Sequence, residues 1–199
     1  MVGVSFGALA ALALARRHPR LVRSLVLADA TLGRGGLEPA ERERWRAGRY
    51  VLGDELQQRA GERAREIAAP GASEDVLTEI ARNMRRVRPA GYRYVTDVIA
   101  ASDARAWLDG IAVPVLDVCG EHDAVVGLPL AQTIAERIPD ARLATIPGAG
   151  HAPNVERPDA FAAAVRAFID GVEAPARVVR VALAGAGAIA TVLIDRIAR

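Results

Sequence analysis

Residues 1–19 read MVGVSFGALAALALARRHP, and a serine stands between two glycines as Gly3-Val4-Ser5-Phe6-Gly7. Met1 to Val4 has the apolar character of a strand tail, and Gly7 to His18 reads as a helix stopped by Pro19. A serine at a strand-to-helix turn, with glycines where the two elements approach closely, matches a nucleophile elbow. In a chain with 18 glycines that pentapeptide is weak evidence alone, so the rest of the sequence must supply what a serine nucleophile needs.

Outward from the elbow, SLVLADA (24–30) is short and apolar, as expected of a strand buried on both faces of a parallel sheet. Strand, helix, strand predicts a doubly wound α/β sheet. From about Glu38 to Asp109 the chain turns Arg-, Glu- and Ala-rich with helical periodicity, which reads as a helical insertion; Asp54 and Gln57 have the spacing of a capping box opening one of its helices. The sheet resumes in IAVPVLDVCGEHD (111–123), with a strand over Val113–Cys119 and a turn at Gly120. An amphipathic helix (128–140), a strand in ARLATI (141–146) and a helix with Pro158 in its first turn complete two more βα units.

A serine hydroxyl needs a base to take its proton, a group to orient that base, and donors for the oxyanion that forms. Asp123 follows the strand that ends at Cys119, and His151 follows the strand ARLATI. In a parallel sheet both fall at the carboxyl edge, where the elbow also lies. The order Ser5, Asp123, His151 fits this chemistry. Glu121 is a competing carboxylate, His122 reads as a surface residue, and His18 at a helix end suits the helix dipole.

The segments GVSFGALAALALARRHPRLVRSLVLAD, PVLDVCGEHDAVV and IPGAGHAPNVERPDAF resemble the nucleophile, acid and histidine segments of the α/β-hydrolase superfamily. Within it, the first segment and GYRYVTDVIAASD are similar to the 3-oxoadipate enol-lactonase branch of ester and lactone hydrolases. The resemblance spans residues 1–172, with a helical lid at about 33–109, and implies a partial α/β-hydrolase fold. It implies Ser5 as nucleophile, His151 as general base and then acid, Asp123 as the orienting carboxylate, and the Phe6 backbone N–H in the oxyanion hole. It implies no metal and no cofactor. The family's second oxyanion donor and several strands precede the nucleophile, so the chain reads as N-terminally truncated, with an uncovered sheet edge open to self-association.

Residues 173–176 read as a linker, and 177–199 as a βα unit in which Gly185-x-Gly187-x-x-Ala190 resembles the start of a dinucleotide-binding domain. The acidic residue expected about 20 positions further on is absent, so no cofactor is assigned. The expected function is hydrolysis of a small ester or lactone through an acyl-enzyme. Its alternatives are an inactive hydrolase fragment and a piece of a hydrolase–dehydrogenase fusion.

Composition narrows the partners. The chain has 199 residues, half of them apolar, and a net charge of +2. All 26 basic residues are arginine, a bias that argues against a nucleic-acid footprint. Arg82, Arg85, Arg86 and Arg88 form the densest basic stretch, with a solvated helix face as the alternative to an anion site. The single cysteine, Cys119, excludes an internal disulfide framework and points to a reducing, cytoplasmic setting. The apolar opening has its charges after the run rather than before it, unlike a signal peptide, and the run at 181–194 falls short of a membrane span. No nucleic-acid or membrane partner is expected.

Overall fold

A computed structural model of the chain describes residues 1–172 and 183–184. Its centre is a parallel sheet built from β1 (Val2–Val4), β2 (Leu25–Ala28), β3 (Val115–Gly120) and β4 (Ala141–Ile146), in the order β4-β3-β2-β1. The strands are short and apolar because both faces are covered. Leu25, Leu27 and Val115 pack toward α1 (Phe6–Arg17), while Val26, Ala28, Leu116 and Val118 pack with Phe161, Val165 and Phe168, which lie on a helix at residues 158–172. Alternate residues of one strand thus enter two cores, the two-residue period of a pleated strand.

Between β2 and β3 the chain forms four helices: α2 (Pro39–Glu55), α3 (Ala60–Ile67), α4 (Glu74–Arg85) and α5 (Pro89–Ala101). Three start within a turn of a proline or of a serine that accepts the Val76 N–H. The capping box read at Asp54 is not formed. Asp54 lies in the last turn of α2 and receives the guanidinium of Arg93 on α5, because α2 and α5 pack side by side and offer it a cation. The arginines of α4 stay on the surface, with Arg82 paired to Glu79 one turn away.

After β3 come α6 (Leu128–Arg137), β4, the short α7 (Pro153–Glu156) and α8 (Pro158–Val172). Leu183–Ala184 forms β5, parallel to β1 and opposite Val2 and Gly3. The sheet edge expected to lie open therefore carries a neighbour at those residues, as unpaired backbone groups of an edge strand require. The linker at 173–176 and the Gly185-x-Gly187-x-x-Ala190 turn lie outside the described residues. No described helix is long and apolar enough to cross a membrane.

Candidate active site

The carboxyl ends of β1, β3 and β4 converge on one point. Ser5 links β1 directly to α1 with φ 52° and ψ −113°, a backbone conformation that L-residues rarely adopt. Its N–H is held by the Ala28 carbonyl of β2 at 2.8 Å. The glycine two residues earlier is a steric necessity: a Cβ on Gly3 would stand 2.4 Å from the Gly7 carbonyl oxygen and 2.7 Å from the Ala8 nitrogen. Phe6 opens α1, so its N–H is among those that have no partner within the helix, beside the positive end of the helix dipole.

His151 Nε2 lies 3.1 Å from Ser5 Oγ, and His151 Nδ1 lies 3.0 Å from Asp123 Oδ2. Asp123 Oδ1 accepts the N–H groups of Val125 at 2.7 Å and Val126 at 3.2 Å, so both carboxylate oxygens are engaged. Burial works to raise the Asp123 pKa, but hydrogen bonding and charge attraction from His151, with the two backbone donors, outweigh it and hold the carboxyl below its ordinary value. Glu121 instead accepts the Gly148 N–H at 2.8 Å, and His122 is exposed beside it. His18 is exposed at the end of α1.

The loop that carries His151 is fixed by a residue the sequence did not single out. Glu156, 4% exposed, accepts the N–H groups of Gly150 at 3.0 Å, Ala152 at 3.1 Å and Ala69 at 2.7 Å. The His151 N–H donates to the Ile67 carbonyl at 2.8 Å. One carboxylate thereby ties the histidine loop to the chain just after α3. Packing here leaves no room for a side chain, since a Cβ on Gly120 would meet the Gly150 oxygen at 2.0 Å and one on Gly150 would meet the Ile67 oxygen at 2.4 Å.

A second missed residue is Asp29, at the end of β2, with φ 43° and 1% exposure. Its Oδ1 accepts the Gly120 N–H at 3.0 Å, while Oδ2 is buried without a hydrogen-bond partner, close to the Asp123 carboxyl and the Cys119 thiol. Burial first, then the Asp123 charge, push its pKa well above the carboxylate range against the pull of Gly120. Asp29 therefore keeps its proton to higher pH than an ordinary carboxyl, and when protonated it can donate to Asp123. Its only signal in the sequence is a carboxylate closing an apolar strand.

Because Asp29 holds its proton to higher pH in the folded chain than in the unfolded one, where it ionises near pH 4, it costs stability as pH rises from about 4 toward its raised value. Asp29→Asn removes that cost, keeps an acceptor for the Gly120 N–H and a donor toward Asp123, and tolerates the positive φ. Urea denaturation is expected to show the Asp29→Asn variant gaining on the native chain as pH rises above about 4. Asp29→Ala should lose about 2–4 kcal/mol, from an orphaned Gly120 N–H and a strained backbone.

Asp29, Cys119 and Asp123 bring their ligand atoms within 4.8 Å of one another. Metal binding there would need the Cys119 thiol, pushed up to about 12 by burial and three nearby carboxyls, to ionise. It would also draw Asp123 away from His151, so this set is better suited to proton-sharing than to a cation.

Fold and site together define a class. The sequence model of the Alpha/beta hydrolase family matches residues 1–164, and the chain belongs to that family. Among curated relatives it is 33% identical over 181 residues to the pimeloyl-[acyl-carrier protein] methyl ester esterase of Neisseria meningitidis serogroup A, covering 86% of this chain and 57% of that protein. It is 28% identical over 171 residues to 3-oxoadipate enol-lactonase 2 of Acinetobacter baylyi, covering 84% and 62%. The solved enol-lactonase of Burkholderia xenovorans superposes with a TM-score of 0.74 at 28% identity, over 84% of this chain and 64% of that one. The chain thus spans somewhat less than two thirds of each of these three proteins.

Proposed function

We propose that this chain carries the machinery of a serine hydrolase that cleaves small carboxylic esters or lactones through an acyl-enzyme. The observation that carries the reading is the continuous relay from Ser5 Oγ to His151 Nε2 at 3.1 Å and from His151 Nδ1 to Asp123 at 3.0 Å. The named activities of the relatives, an ester hydrolase and a lactonase, support the reaction class.

As Ser5 Oγ bonds to the substrate carbonyl carbon, its proton passes to His151 Nε2. Asp123, held ionised, orients the ring and stabilises the imidazolium. Negative charge develops on the former carbonyl oxygen, next to the Phe6 N–H and the N-terminus of α1. His151 then gives its proton to the departing alkoxide, leaving Ser5 acylated. Water attacks the acyl-enzyme with His151 again as base, and the acid leaves with Ser5 restored. In a lactone the leaving alkoxide is part of the acyl chain, so the second step releases a single acid that carries it as a hydroxyl.

A fluorophosphonate probe read by intact mass tests this directly. One adduct per chain, mapped to Ser5 and lost in Ser5→Ala, is the expected result. A folded chain that takes up no probe would overturn the assignment of Ser5 as an activated nucleophile.

A further inference from the structure

Beside Ser5 lies a cavity of about 260 Å³ roofed by the helical layer, and its wall is unusually cationic for a site expected to receive an uncharged ester. Arg34 enters from the loop after β2, Arg49 from α2 and Arg63 from α3. Only Arg63 has a carboxylate, Glu66 at 2.8 Å. Among the described residues Arg34 and Arg49 pair with no acid, and the Arg49 Nε is buried without a hydrogen-bond acceptor.

These two guanidiniums are instead held by aromatic rings. Arg34 lies 5.7 Å and Arg49 5.8 Å from the centre of the Trp45 ring, and Arg49 also lies 4.9 Å from that of Tyr92. Trp45 thus gathers two like charges at one wall of the cavity. Burial, together with repulsion from Arg63 and Arg34, draws the Arg49 pKa below its usual value despite Tyr92. A buried donor without an acceptor is costly, and an anion entering the cavity would satisfy it and relieve the repulsion together.

We propose that Arg34 and Arg49 form an anion subsite beside Ser5, so that the ester or lactone this chain cleaves carries a carboxylate. The inference rests on the hydrolase reading above for what happens to the substrate, and on the cavity for which substrate is held. The guanidinium fork suits a planar carboxylate, held bidentately. The cavity lies just under the usual range of about 300–1,000 Å³ for ligand pockets, which fits a small acid. The exposed arginines of α4 take no part.

The test compares p-nitrophenyl butyrate with mono-p-nitrophenyl glutarate, whose acyl chain ends in a carboxylate. The charged ester should have the higher kcat/KM. The charged-to-neutral ratio should fall about tenfold or more in Arg49→Met, less in Arg49→Lys, and stay put in the surface variant Arg82→Met. In parallel, glutarate and inorganic phosphate are titrated calorimetrically into the Ser5→Ala chain, with and without Arg49→Met. Glutarate should bind more tightly than phosphate, with the Arg49→Met change removing it.

Hydrolysis of both esters with a ratio indifferent to Arg49 overturns the subsite and leaves the hydrolase reading intact. Arg49-dependent glutarate binding by a chain that no fluorophosphonate labels upholds the subsite and overturns the hydrolase reading. Absent or phosphate-preferring binding overturns the carboxylate assignment.

Discussion

His151→Ala is expected to lower kcat for ester hydrolysis by a factor of about 10⁵–10⁶, and Ser5→Ala by a similar factor. The two losses should not add: the double variant should be about as slow as either single one, because the serine without its base and the base without its serine are equally idle. The geometry behind this is the 3.1 Å contact between Nε2 and Oγ, the path by which the hydroxyl proton would leave in the proposed mechanism. Steady-state kinetics on p-nitrophenyl butyrate, with circular dichroism to verify folding, measures both. Losses that multiplied in the double variant would mean that the two side chains act separately.

Glu156→Ala should be the most damaging substitution outside the relay. It leaves three buried N–H groups, those of Ala69, Gly150 and Ala152, facing a void where a charged acceptor stood. Each lost bond to a charged group is worth about 1.5–3 kcal/mol, so a loss of about 4 kcal/mol or more is expected, about half the stability of an ordinary domain. Denaturant titration reads it. Glu156→Gln keeps one acceptor oxygen and should lose less. Where either variant still folds, kcat should fall more than KM rises, since the loop that sets the position of His151 is what has been loosened. An unchanged kcat in a folded Glu156→Gln would show that the Ile67 carbonyl alone positions the loop.

The anion subsite has the same logic at the other end of the site. There too the buried group without a partner is a donor, and in the proposed subsite its acceptor would arrive with the substrate. A single layer of helices, α2 and α3, thus touches both halves of the site: the cavity wall through Arg49 and Arg63, and the histidine loop through Ile67 and Ala69.

Much of this was legible in the sequence. Short apolar strands alternating with helices specify a parallel sheet because both faces must be covered, and the strand ends then place Ser5, Asp123 and His151 at one edge whatever the details of packing. The glycine at position 3 announces its own reason, a turn in which strand and helix come too close for a side chain. What tertiary structure alone decided are contacts between residues far apart in the chain. Asp54 reads locally as a helix cap, yet it serves α5 because Arg93 is brought beside it. Glu121 and Asp123 are equivalent two residues apart in a turn, until backbone direction sends one to Gly148 and the other to His151. Asp29, Glu156 and Arg49 carry no local pattern: what sets them apart comes from burial, which raises the pKa of one acid, makes another carboxylate a clamp and leaves a guanidinium Nε without an acceptor. Periodicity and turn chemistry are local and can be read along a chain, whereas burial is a property of what the other elements bring to a residue, and only the folded arrangement sets it.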